Sequence, residues 1–176
     1  MRARTGRIGA AFAAVAVAGV VGPALGSGEA TADQFTPSEQ QLVRLLPPGY
    51  AAHSCARAAN PFPNSIASLD CSQDANSDSP EYARFTLYSN AASMNADFDI
   101  TAGAMMVAPC PDGNPSPGTW TYQSDSGPLG GRIVCGFVDD LADIAWTRDG
   151  QLLLATVNGA SDLDNLYQWW RRYGGA

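Results

Sequence analysis

Four cysteines, Cys55, Cys71, Cys110 and Cys135, lie downstream of a leader-like N-terminus, and this combination constrains the chain more than any other feature. Met1 to Arg7 carries three arginines and no acid, and Ile8 to Gly22 contains only alanine, valine, isoleucine, phenylalanine and glycine. A basic segment followed by an apolar one is the pattern of a secretory signal peptide. The apolar run spans 15 residues and ends at Pro23, shorter than the roughly 20 that a bilayer-spanning helix requires. Removal after Gly26 (Ala24-Leu25-Gly26) or Ala32 (Ala30-Thr31-Ala32) is therefore expected, because both sites have the small residues that signal peptidases favour. Residues 33–176 are then expected to form a single secreted domain with no stable membrane insertion.

An even number of cysteines in an oxidising compartment reads as two disulfides. Three connectivities are possible. The sequential one, Cys55 with Cys71 and Cys110 with Cys135, is favoured; it closes loops of 15 and 24 intervening residues, each contributing about 3 kcal/mol in the chain-entropy picture. No C-x-x-C occurs, which argues against a redox or zinc-ribbon role.

Cleavage after Ala32 removes Arg2, Arg4, Arg7 and Glu29 and leaves a domain of net charge about −9 with no lysine. Such a surface repels phosphate backbones and anionic membrane faces, so nucleic acid is excluded as a partner.

Along the chain, Thr36-Pro37-Ser38-Glu39 is a capping box with proline at the first helical position, and Pro47-Pro48-Gly49 stops the helix it starts. Ser65 to Cys71 and the alternating Ala83, Phe85 and Leu87 predict a pair of antiparallel strands. Met94, Phe98 and Ala102, four apart, predict one face of a second helix. Residues 106–131 are rich in proline, glycine and serine, with Trp120-Thr121-Tyr122 as an isolated strand candidate. A three-stranded meander is expected from Arg132 to Val157, with Asp149-Gly150 as its tight positive-φ turn. Ser161-x-x-Asp164 opens a last helix whose apolar stripe is Leu163, Leu166, Tyr167 and Trp170. Segregated strands and helices predict an α+β domain, an antiparallel sheet with helices packed on one face.

Several fragments suggest chemistry. Ala51-Ala52-His53-Ser54-Cys55 and Ser124-Asp125-Ser126-Gly127-Pro128 resemble pieces of a chymotrypsin-like protease. The only histidine stands 73 residues from Ser126, and the chain is too short for the two barrels of that fold. A small hydrolase using His53 with Ser54 or Ser126 is the enzymatic alternative. Asp74-Ala75-Asn76-Ser77-Asp78 starts like a calcium loop, but Ser79 and Phe85 occupy the positions that need glycine and glutamate. The pairs Asp139-Asp140 and Asp97/Asp99 read as acidic surface. No cofactor is implied, and one histidine with paired cysteines cannot build a metal site. In the aromatic cluster Tyr167, Trp169, Trp170 and Tyr173, only Trp169 falls off the core stripe. Trp169 with Arg172 is accordingly the candidate binding surface, since exposed tryptophan and arginine are common anchors.

Read in order, Leu45-Leu46-Pro47-Pro48-Gly49-Tyr50, Cys55, Ala67-x-Leu69-x-Cys71, Phe85-x-Leu87-Tyr88, Cys110 and Gly118-x-Trp120 form a ladder. It continues through Gly131-x-x-x-Cys135, Ala145-Trp146-Thr147 and Leu166-Tyr167-x-Trp169-Trp170. This ladder resembles the extracytoplasmic C-terminal domain of mycobacterial and other actinobacterial serine/threonine protein kinases and their stand-alone secreted relatives. The resemblance implies an extracytoplasmic α+β domain with two disulfides. It does not imply kinase activity, because the glycine-rich loop, the β3 lysine, H-R-D and D-F-G are all missing. The expected function is a non-catalytic secreted module that binds a cell-envelope component or another exported protein; a soluble regulator or decoy of a related receptor kinase is a third reading.

Overall fold

The computed structural model describes residues 35–74, 78–122, 129–160 and 162–175. Both expected cleavage sites, together with Asn76 and Ser126, lie outside these residues.

The Thr36 side chain accepts the Glu39 N–H and the Glu39 carboxylate accepts the Thr36 N–H, so the capping box starts α1 (Pro37–Val43) as its sequence dictates. Helix α1 is shorter than its apolar run, because Leu45 and Leu46 lie in the turn beyond it. A 3₁₀ turn, Ala52–Ser54, leads into β1 (Cys55–Arg57), followed by β2 (Ser65–Ser72) and β3 (Tyr82–Tyr88). Asn90 caps α2 (Ala91–Gly103), accepting from the Ser93 N–H. Strands β4 (Met106–Ala108), β5 (Gly118–Thr121), β6 (Leu129–Val138), β7 (Leu141–Arg148) and β8 (Leu153–Ala160) complete one antiparallel sheet.

The strand order is β1-β2-β3-β8-β7-β6-β4, with β5 sharing the outer edge of the long β6 alongside β4. The β6–β7–β8 meander is present as expected, but its turns are distributed differently. Asp139 and Asp140 carry the two positive φ angles, 50° and 64°, of the tight β6–β7 turn. Asp149 and Gly150 instead fall in a 3₁₀ turn ending at Leu152, whose φ of 51° is left-handed. The Asp139-Asp140 pair thus makes a turn, which short polar side chains tolerate at positive φ, while a leucine takes the strained position expected of glycine.

Both disulfides form, with the sequential pairing. Cys55 and Cys71 are register partners in β1 and β2, and Cys110 beyond β4 reaches Cys135 in β6.

The core lies in two layers, because alternate strand residues face opposite ways. Phe85, Leu87, Ile133, Ile144, Trp146 and Val157 share one layer with Leu42 of α1 and the last helix. Tyr88, Val134, Ala145 and Leu154 share the other with Met94, Phe98 and Ala102 of α2. The α+β class and the antiparallel sheet are as expected. One-face packing describes α1 and the last helix, whereas α2 covers the opposite face.

The last helix, α3 (Leu163–Trp169), is capped by Asp162, whose carboxylate accepts from the Asp164 and Asn165 N–H groups, one residue beyond the Ser161 start. It continues as a π-helical turn, Trp170–Gly174, closed by the Gly175 N–H to the Trp170 carbonyl at 2.9 Å. The Arg148 guanidinium, projecting from the end of β7, donates to the Gly174 and Tyr173 carbonyls at 2.9 and 3.3 Å and so satisfies acceptors that the helix end leaves open.

Candidate functional site

The end of the sheet where β5 meets α3 carries a cleft of about 660 Å³, within the range typical of ligand sites. Its position follows from the glycines of β6. A Cβ at Gly130 would strike the Trp120 ring, and one at Gly131 would strike the Thr147 carbonyl. Their absence lets Trp120 of β5 lie across β6 and donate Nε1–H to the Thr147 carbonyl at 2.9 Å. The Trp120 ring meets Trp170 edge-on at 5.7 Å, and Trp170 stacks on Tyr167 at 5.2 Å. These aromatics form the floor of the cleft, with Asp112, Gln168, Arg171 and Arg172 on its polar walls.

The Tyr167 hydroxyl donates to Asp112 Oδ2 at 2.6 Å. Burial, and then the hydrogen bond to Asp112, push the Tyr167 phenol up to about 12. Asp112 also accepts the Asn114 N–H, which leaves it committed to holding the wall. Two guanidinium groups on the walls suit a polar or anionic ligand, while Trp120, Tyr167 and Trp170, none more than 6% exposed, hold the floor rigid.

Of the two residues proposed from sequence, Arg172 reaches this cleft and is exposed. Trp169 does not: it is 7% exposed, with Tyr50 at 6.0 Å and Tyr173 at 5.9 Å. The expectation that Trp169 lies off the core is corrected because α3 is covered on two sides. The sheet takes Tyr167 and Trp170, and the segment after α1 that carries Tyr50 covers the flank where Trp169 points.

His53 sits exposed in the 3₁₀ turn, its Nε2 3.6 Å from Asp74 Oδ2. Ser54 Oγ donates to the Ala51 carbonyl at 3.0 Å and accepts the Ala51 N–H at 3.1 Å, and among the described residues no bond joins it to His53. Asp74 faces His53, while Asp78 lies 3.9 Å from Arg172. Asp99 pairs with Arg132 at 2.7 Å on the surface. Asp97, expected there too, is 4% exposed, since it adjoins the Met94–Phe98 stripe that α2 turns inward. No protein-family model, curated protein or solved structure matches the chain.

Proposed function

We propose that the chain is a secreted, non-catalytic module that binds a cell-envelope component or another exported protein in the cleft between β5 and α3. The observation that carries this reading is the cleft itself, with an aromatic floor, two arginines on its walls and Asp112, the one carboxylate among its described lining residues, engaged by Tyr167. Two disulfides fit an oxidising compartment, and no helix among the described residues is long and apolar enough to cross a membrane. The leader-like N-terminus and the resemblance to extracytoplasmic kinase domains support the same reading.

The test is made on protein exported by its native host. Intact mass should place its N-terminus near Gly26 or Ala32 with all four cysteines paired. Immobilised wild-type protein should then enrich an envelope component that both Arg171→Glu, which reverses a wall charge, and Gln168→Trp, which fills the opening, fail to retain. Equal enrichment by wild type and both variants would reject the cleft. The His53–Asp74 approach favours a hydrolase as the second reading; a turnover activity abolished by His53→Ala would establish it in place of the binding module.

A further inference from the structure

Arg172 also borders a second, smaller pocket of about 290 Å³, which lies against the turn after α1. Arg44, Arg148 and Arg172 line it together with Leu45, Pro48 and Tyr173, and among the described residues no Asp or Glu lines it. Three cations around one cavity are unexpected in a chain of net charge −7.

The other ion pairs sharpen the contrast. Arg57, Arg84 and Arg132 each meet a carboxylate within 2.7 Å, on Glu39, Asp70 and Asp99 respectively. Among the described residues Arg44 and Arg148 form no salt bridge, and Arg172 has only the loose 3.9 Å approach of Asp78. Arg148 is half-buried, and that burial weighs against its charged form. Its Nε and Nη2 are engaged by the carbonyls of the π-helical turn, which fix the guanidinium in place. Among the described residues Nη1 makes no hydrogen bond. A half-buried charge with no counterion and a preset orientation is stabilised when an anion arrives.

We propose that this pocket binds the phosphate group of a phosphate ester, with the three guanidiniums around the oxyanion and the organic part against Leu45, Pro48 and the Tyr173 ring. Guanidinium forks match phosphate geometry, and the apolar wall gives the rest of the ester somewhere to lie. The acidic remainder of the molecule repels extended polyanions, so the pocket selects a single small anionic group. The inference is separable from the larger cleft: Arg171 and Gln168 test that site, whereas Arg44 and Arg148 test this one.

The experiment is calorimetric titration of the full exported protein with inorganic phosphate, glucose 6-phosphate and glucose, alongside sedimentation with phosphatidylglycerol vesicles. Both phosphates should bind and glucose should not. Arg44→Gln, Arg148→Gln and Arg172→Gln should each weaken binding by about tenfold or more. Arg132→Gln, which removes one positive charge on the opposite face of the sheet, should leave it unchanged. Should Arg148→Gln fail to fold through loss of its bonds to the π-helical turn, Arg44→Gln, at a residue that lines this pocket and not the larger cleft, still decides the matter. Vesicle retention lost in the pocket variants would identify a lipid headgroup as the source of the phosphate. Glucose 6-phosphate binding without vesicle retention would identify a soluble ester. Absence of binding by both phosphates at millimolar concentration, or equal weakening by Arg132→Gln, overturns the proposal.

Discussion

Replacing Asp143 with asparagine should remove a pH-dependent weakness from the centre of the sheet. Asp143 is 6% exposed on β7; its Oδ2 lies 3.5 Å from Asn158 Nδ2, and its Oδ1 has no hydrogen-bond partner among the described residues. Burial therefore lifts its pKa from 3.8 to about 6, with the Asn158 contact pulling weakly the other way. The folded state thus holds this proton more tightly than the unfolded chain. Stability from the group is complete below about pH 4 and is lost as pH rises through about 6. Once the carboxylate is ionised in both states, the loss amounts to about 3 kcal/mol. Asparagine is neutral throughout. Relative to wild type, Asp143→Asn should therefore gain about 2 to 3 kcal/mol in stability between about pH 4 and pH 7. Urea unfolding followed by tryptophan fluorescence, with disulfides intact, measures both proteins across that range. Only the difference between them matters. Asp70, held below the usual range by Arg84 and Tyr82 although burial opposes them, and Glu39, held down by Arg57, give a slope of opposite sign in both proteins. A difference that stays flat across the range would show that Asp143 is hydrated in the folded protein and that the argument from its burial is wrong.

Two further outcomes follow from the packing. Cys110→Ser with Cys135→Ser should lower stability by about 3 kcal/mol, read as a lower urea midpoint, because the loop between them regains its freedom in the unfolded chain. Trp120→Phe should cost about 1 kcal/mol more than Trp170→Phe, since Trp120 Nε1–H donates to Thr147 whereas Trp170 Nε1 has no partner among the described residues; paired unfolding curves give the comparison.

Local signals in the sequence were reliable guides to local structure. The Thr36–Glu39 capping box, the four-residue spacing of Met94, Phe98 and Ala102, and the alternation around Ile133, Cys135 and Phe137 each fix geometry within a few residues, and each element is where they place it. Turn chemistry was less decisive. Asp149-Gly150 joins β7 to β8 as its composition suggests, yet the positive φ there falls on Leu152, and the turn with two positive φ angles is the β6–β7 one at Asp139-Asp140. The faces of the helices depended on tertiary placement. Trp169 is off the stripe that meets the sheet, but Tyr50, more than a hundred positions earlier, covers it. The arginine pocket carried no local signal at all, because Arg44, Arg148 and Arg172 belong to three elements that meet only once β7 and the π-helical turn are in place. Arg172 alone was legible, as an exposed cation beside aromatics.

The placement of the two disulfides has a mechanical consequence. The sheet ends at one side in β1 and at the other in β4, each of three residues and each too short to hold its place by backbone hydrogen bonds alone. One bridge ties β1 to β2, and the other ties the chain just past β4 to β6. Peeling β1 or β4 away, an easy way to open such a sheet and expose it to proteases or to another chain, is thereby blocked, and β5, on the same outer edge of β6 as β4, is the margin strand that carries no bridge. Amide exchange in β1 and β4 should consequently be slow while the bridges are intact and should accelerate first on reduction, before the β6–β8 centre responds.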